Sequence, residues 1–364
     1  MKIFFFSALL TIAAGILHAQ EISLDTTQQK AYFDSVSTVA EEFRLQQQAQ
    51  IAYNKGIEHF RNMDYQEAIN QFTRVIGLDN QFYQAYLNRA LSYFQLLLYK
   101  EALNDLDKAL AVNESYGLAY YYKGLIHYSN DDMRAAELDL LKAINYNFNI
   151  AEAHYYLGVI EFQKDDLRRA IKFFSNAVRA KPDYAYAYND RGSARKLLDD
   201  YKGAIRDYND AIRYAPENAF FFNNLGSAYL KIEDYSNAIK SYDRAIEIRP
   251  DYYISYNNRG KAKHEAGQFK ESIRDFDHCI ELKNDYAYAF NNRGVAYHAI
   301  GQYQKAIDDF SIAIDLKSNY AYAYLNRGIS FEMLRKEDQA CRDWFRSASM
   351  GLEVSNIYVD QVCE

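Results

Sequence analysis

Apolar and small residues recur along this chain in two alternating runs of helical spacing, and the pair of runs returns every 34 residues. The stretch 185–218, AYAYNDRGSARKLLDDYKGAIRDYNDAIRYAPEN, shows the unit most plainly. Its first run carries Tyr188 and Gly192, its second Ala204, Tyr208 and Ala211, and Pro216 closes it. Such spacing predicts two short amphipathic helices, A and B, joined by a turn. The same pattern follows as Phe222, Gly226, Ala238, Tyr242, Ala245 and Pro250, and precedes as His154, Gly158, Ala170, Phe174, Ala177 and Pro182. A fixed period of this length predicts a repeat array, in which each helix pair covers its apolar face only by stacking on its neighbours.

Nine units follow one another without insertion or deletion, starting at 49, 83, 117, 151, 185, 219, 253, 287 and 321. Position 8 of the unit is Gly in eight of them and Ala90 in the other; position 20 is Ala in eight, with Ser272 the exception. Position 24 is always Phe, Tyr, Leu or Trp, and all three prolines fall at position 32. This pattern resembles the tetratricopeptide repeat (TPR) family over residues 49–354. The resemblance implies an all-α fold, a right-handed solenoid of helix–turn–helix units. Small residues at 8 and 20 are expected to let A and B approach closely, because interhelical distance follows the side chains at the contact.

The flanks read differently. Residues 1–19 have the form of a signal peptide: Lys2, an apolar stretch from Ile3 to Leu17, and Ala19 before Gln20. An uncleaved anchor is the competing reading; with cleavage the chain is expected not to be an integral membrane protein. The location expected is the periplasm or cell surface of a Gram-negative bacterium. Residues 20–48 begin with a polar stretch, and Phe33, Val36, Val39, Ala40 and Phe43 then predict a helix from about 31 to 50 that caps the first unit. No linker composition interrupts 49–354, so one continuous solenoid is expected, with a short C-terminal cap over 355–364.

With a formal net charge of −7 the chain is poorly suited to nucleic acid. Catalytic and metal motifs are not persuasive. His264-Glu265 opens like a zincin motif, yet Gln268 stands where the second His would be, and there is no phosphate-cradling loop or CxxC. No enzymatic activity, cofactor or metal is expected. The three cysteines of an exported chain invite a disulfide. Cys341 in the last B helix and Cys363 in the cap are the favoured pair, and Cys279, at a position otherwise small, reads as a packed thiol.

Position 7 is basic in seven units, which first suggests an anion site. Within the chain it travels with an acid at position 23: Arg89 with Asp105, Lys123 with Asp139, Arg191 with Asp207, Arg259 with Asp275, Arg293 with Asp309 and Arg327 with Asp343. Where position 7 is Leu157 or Leu225, position 23 is Phe173 or Ser241. A salt bridge between A and B inside each unit is therefore expected, with Arg suited to bidentate pairing.

In the TPR family, positions 2, 5, 6, 9, 12 and 13 of the A helices line the concave groove. Carried over one by one, those positions give two chemistries. The first four units supply Tyr53, Leu87, Tyr121 and Tyr155 at position 5 and Phe60, Phe94, Tyr128 and Phe162 at position 12. The next four supply Asn189, Asn223, Asn257 and Asn291 at position 5. The apolar half would accept an amphipathic or apolar segment; the competing reading is that neighbouring helices cover it. Asn54, Asn88, Asn224, Asn258, Asn292 and Asn326 at position 6 are similar to the asparagine ladder of the O-linked N-acetylglucosamine transferase family, which implies pairing with an extended backbone. The competing reading is that they bond to adjacent A helices or water. The function expected is a non-enzymatic scaffold for protein or peptide partners. Self-association through the aromatic half, and glycan binding through tyrosines such as Tyr186, Tyr288 and Tyr322, are the alternatives.

Overall fold

The computed structural model describes residues 26–148 and 150–363; the signal-like segment 1–19 and residues 20–25 lie outside the described residues. Among the described residues every regular element is a helix. The chain divides into two compact units, Met1–Ala153 and His154–Glu364. The first holds α1 (Thr26–Arg61), α2 (Tyr65–Leu78), α3 (Tyr83–Gln95), α4 (Tyr99–Val112), α5 (Gly117–Ser129) and α6 (Met133–Asn145). Helix α7 (Ile150–Gln163) carries the boundary. The second continues with α8 (Leu167–Ala180), α9 (Ala185–Leu197), α10 (Tyr201–Tyr214), α11 (Ala219–Lys231), α12 (Tyr235–Ile248) and α13 (Tyr253–Glu265). It ends with α14 (Phe269–Leu282), α15 (Ala287–Ala299), α16 (Tyr303–Leu316), α17 (Ala321–Met333), α18 (Glu337–Ser349) and α19 (Val354–Val362). The turn ahead of the boundary differs from most: α6 stops early and Asn147 takes a left-handed conformation, φ 56°, as Gly351 does after α18 at φ 87°.

In seven of the nine repeats a glycine of helix A packs against a ring of helix B, and in the repeat starting at 117 Gly124 packs against Leu140. A Cβ on Gly226 would lie 2.8 Å from the Tyr242 ring, one on Gly158 2.6 Å from Phe174, and one on Gly328 2.5 Å from Trp344. The glycine of helix A is thus the seat for the position-24 side chain of helix B, which is fully buried in all three pairs. Ala90 is tolerated where its partner is the smaller Leu106, also buried.

The A–B turn is equally uniform. Position 15 is left-handed in every repeat: φ is 59–63° at Met63, Leu97, Asp131, Asp165, Asp199, Glu233 and Arg335, and 77° and 76° at Gly267 and Gly301. The next N–H then reaches back to the A helix, as Leu98 does to the Tyr93 carbonyl at 2.9 Å. Five B helices open on an aspartate whose carboxylate caps the first turn; Asp200 accepts from the Gly203 N–H at 2.9 Å.

The position-7 arginines reach further than the pairing inside a repeat. Arg259 donates to both carboxylate oxygens of Asp275 at 2.9 and 2.6 Å, and its third nitrogen donates to Asp243 on the preceding B helix at 2.7 Å. Arg293 holds Asp309 and Asp277 in the same way. Arg89 (Asp105, Thr73), Arg191 (Asp207, Ser175) and Arg327 (Asp343, Ser311) use a hydroxyl for the third contact. Lys123 departs from expectation: its Nζ pairs with Asp107 of the preceding repeat at 2.6 Å, and Asp139 faces His127 at 3.5 Å. A single ammonium cannot fork as a guanidinium does, so one of the two acids goes elsewhere.

Both ends differ in kind. No separate cap precedes the first repeat; residues 26–61 form one continuous helix, since nothing in that stretch breaks it, and Phe33 and Val39 are exposed. At the other end α19 packs against Trp344, which stacks on Tyr358 at 5.0 Å, and a disulfide joins Cys341 to Cys363. In the chain-entropy description such a crosslink stabilises by roughly 3 kcal/mol. Cys279 is buried, which pushes its thiol up to about 12 and away from thiolate chemistry.

The seat for the ring is open to direct test. Gly226→Ala is expected to destabilise by about 1–3 kcal/mol through overpacking against Tyr242. Combined with Tyr242→Leu, which recreates the Ala90–Leu106 pair, it should cost less than the two single changes summed. Urea denaturation followed by helical circular dichroism measures all three variants.

Candidate functional site

The aromatic inner positions of the first unit are not an open surface. Leu87 and Tyr121 are buried, and Ile57, Leu91, Leu125, Phe60, Phe94 and Tyr128 are half-buried. Tyr53 stacks on Phe82 at 4.9 Å and leans on Phe72, while Phe94 packs on Tyr99 and Tyr122, each at 5.8 Å. Tyr121 lies against Tyr122 and Phe148. Phe82, just ahead of the next A helix, thus folds back over position 5 of the previous one. In the second unit Tyr184 does the same on Tyr155 at 5.0 Å, and Phe162 is half-buried. The expected exposed apolar face is therefore largely covered by its own neighbours.

In the second unit the two asparagine positions pair with each other. From α11 onward the position-6 amide of each A helix donates to the position-5 carbonyl of the A helix before it. Asn224 donates to Asn189 at 2.9 Å, Asn258 to Asn223 at 3.1 Å, Asn292 to Asn257 at 2.9 Å and Asn326 to Asn291 at 3.1 Å. Within α13 and α15, Asn257 and Asn291 pass an N–H on to Asn258 and Asn292, each at 3.3 Å. Asn189, Asn223, Asn257 and Asn291 are buried, where an unpaired amide would be costly. In the first unit Asn88 donates instead to the Tyr53 hydroxyl at 2.8 Å, and Asn54 is exposed and accepts from Gln50 at 3.0 Å.

The relay has a charged terminus that sequence reasoning passed over. Position 6 of the repeat starting at 185 is Asp190, the one carboxylate among five successive position-6 residues from 190 to 326. Its Oδ1 accepts from the Asn189 amide and its Oδ2 from the Tyr155 hydroxyl, both at 2.9 Å. Burial raises the Asp190 pKa, and the Tyr155 and Asn189 hydrogen bonds oppose that rise only in part. Burial and the nearby Asp190 charge likewise hold the Tyr155 phenol above its ordinary value. The signal was available as the one acid in an asparagine column. Asp190 borders a cavity of about 440 Å³ lined by Val159, Phe162, Gln163, Phe174, Asn189, Ser193 and Asn224.

Exposed rings lie one turn away, at position 2. Tyr186 and Tyr322 are each 55 % exposed, with Phe220 and Tyr288 also open. Tyr186 and Phe220 border an open cavity of about 510 Å³ together with Asn189, Phe221, Ile248 and Arg249. Cations already occupy two of these rings: Lys317 lies 4.7 Å from the centre of Tyr288 and Arg249 5.6 Å from that of Phe220. Among the described residues no group of three or more His, Cys, Asp or Glu side chains is placed to hold a metal ion, and no helix is long and apolar enough to cross a membrane.

Tetratricopeptide repeat models match residues 53–103, 88–150, 149–185, 185–218, 219–252 and 287–320, and a TPR repeat model matches 260–301. No curated protein matches the chain. Among solved structures, a tetratricopeptide repeat protein from Parabacteroides merdae is similar at 20 % identity and TM-score 0.58, covering 69 % of this chain and 100 % of that one. A chain of the APC/C hetero-tetramer Cut9-Hcn1 is similar at 13 % identity and TM-score 0.55, covering 87 % and 76 %. The type IV pilus biogenesis factor PilW is similar at 18 % and 0.51, covering 54 % and 92 %. At these identities the likeness is one of fold.

Asp190 gives the site a pH signature. Its folded-state pKa is raised, so the native state binds its proton more tightly than the unfolded chain does. Its charge therefore weakens the fold as pH rises from the ordinary aspartate range through the raised value. Asp190→Asn is expected to gain stability relative to the wild type at pH 7 and to lose that advantage at pH 4. Paired urea titrations at the two pH values measure the difference.

Proposed function

Since the chain is a tetratricopeptide repeat protein with an all-α repeat fold, we propose that it is a non-enzymatic scaffold that binds a polypeptide partner along the A-helix face of the unit His154–Glu364. The observation that carries this reading is the set of exposed rings Tyr186, Phe220, Tyr288 and Tyr322, which hold position 2 in four of the last five A helices, with Ile254 in the remaining one. Aromatic rings give large contact area at low entropic cost and are enriched where proteins meet. The buried amides beside them form a satisfied, rigid floor, so that docking needs little rearrangement. Affinity is thereby assigned to the rings, and the asparagines act as positioning residues for the helices that carry them.

Glycan binding is the second reading, because a tyrosine face can stack on a sugar ring. The cations over Tyr288 and Phe220 count against it at those two positions and leave Tyr186 and Tyr322 as its best candidates. For location we propose the cell envelope, on the signal-like character of residues 1–19.

Photoreactive groups at positions 186 and 322, introduced in the native host, test the scaffold directly. One foreign polypeptide captured at both positions is the expected result, with Tyr186→Ser/Tyr322→Ser weakening its binding at least tenfold. Capture of no protein at either position, with retardation in a polysaccharide affinity gel, would overturn the scaffold in favour of glycan.

A further inference from the structure

Asp190 stands apart from the arginine-paired acids at position 23. Asp207, Asp275, Asp309 and Asp343 each face an arginine. Asp190 is held only by two neutral donors, Tyr155 and Asn189, and the adjacent Arg191 turns away to Asp207 and Ser175. Among the described residues no basic side chain forms an ion pair with it. The repeats starting at 219, 253, 287 and 321 place a neutral asparagine at the same position, so the charge is not a requirement of packing there.

The cavity in front of this carboxylate is amphipathic. Val159, Phe162 and the fully buried Phe174 form one wall; Asn189, Asp190, Ser193 and Asn224 form the other. Such a space fits a side chain with an apolar stem and a cationic head. Lysine has this form, and its stem readily lies along apolar surface while its ammonium seeks a partner. We propose that this cavity receives a lysine side chain of the bound partner, with its methylenes against Val159 and Phe162 and its ammonium on Asp190. The inference rests on the scaffold reading and supplies the chemistry by which the partner is chosen. A partly buried carboxylate that lacks a cation is costly in the free protein and repaid on binding, which makes it a specificity device as well as an affinity one. The titratable groups nearest Asp190 are Tyr155 on α7 and Tyr208 on α10, both raised by burial, so neither supplies a counter-charge.

The test uses the whole chain labelled with carboxyl-13C aspartate and n-butylammonium, which reproduces the lysine side chain. The Asp190 resonance is assigned by its loss in Asp190→Asn, a variant expected to fold because four other repeats use asparagine there. Expected are a saturable shift of that resonance, a lower titration midpoint for Asp190, and at least a tenfold fall in saturation-transfer signal from the probe in Asp190→Asn. Butan-1-ol at equal concentration should leave the resonance unmoved. Absence of a saturable shift, or an equal response to butan-1-ol, overturns the lysine pocket. The cross-linking from positions 186 and 322 does not depend on this titration, so a captured partner without a butylammonium response would remove the pocket and leave the scaffold standing.

Discussion

The seat that a glycine on helix A offers to a ring on helix B sets the spacing from which the rest of each repeat follows. With a Cβ placed 2.5–2.9 Å from a ring at seven glycines, and 2.7 Å from Leu140 at Gly124, there is no room for a methyl group at that contact. The two helices of a pair are thereby brought close enough for their polar groups to meet. The position-7 guanidinium then bonds its own B helix and the preceding one, as Arg259 does with Asp275 and Asp243. Exchanged for hydrophobic contacts these pairs need not add stability, yet losing one partner of such a buried pair costs about 3–5 kcal/mol. Their geometry fixes how one repeat meets the next.

That fixed spacing also explains the inner face of the second unit. Successive A helices lie near enough for an amide on one to bond an amide on the next, four times in succession, and the buried member of each pair is satisfied. Position 6 of the following repeat supplies the donor for the buried carbonyls of Asn189, Asn257 and Asn291, and Asn223 takes a second donor from the Ser255 hydroxyl. The first unit solves the same problem with rings, and there Asn88 donates to the Tyr53 hydroxyl. A floor so fully bonded to itself has less to offer a partner backbone than its composition suggests. In the function proposed above, recognition falls to the rings at position 2 and the carboxylate of Asp190.

Much of this was legible in the sequence. The period, the helix pairs, the small residues at positions 8 and 20, the acids opposite position-7 arginines and the two cysteines brought together at the C-terminal end all follow from local pattern and spacing. What escaped depends on contacts between repeats. The third partner of each arginine sits at position 25 of the preceding B helix, where Asp243, Asp277, Thr73, Ser175 and Ser311 each offer an oxygen and Leu141 does not. That column correlates with position 7 of the following repeat, a relation invisible when only one repeat is read at a time. The cover over Tyr53 and Tyr155 comes from Phe82 and Tyr184, again across a repeat junction. Helix α1 escaped because its apolar residues have helical spacing whether or not anything packs on them.

The claim that the asparagines hold the helices while the rings hold the partner separates cleanly in one measurement. Denaturation midpoint and affinity for the cross-linked partner would be determined for Asn292→Ala/Asn326→Ala, which remove the donors to the Asn257 and Asn291 carbonyls, in parallel with the ring variants. The account predicts that the asparagine variant loses stability, at about 1–3 kcal/mol for each buried amide carbonyl left without its donor, and keeps its affinity. An asparagine variant of unchanged stability that no longer binds the partner would contradict it and return the amide ladder to the role of a backbone-gripping surface.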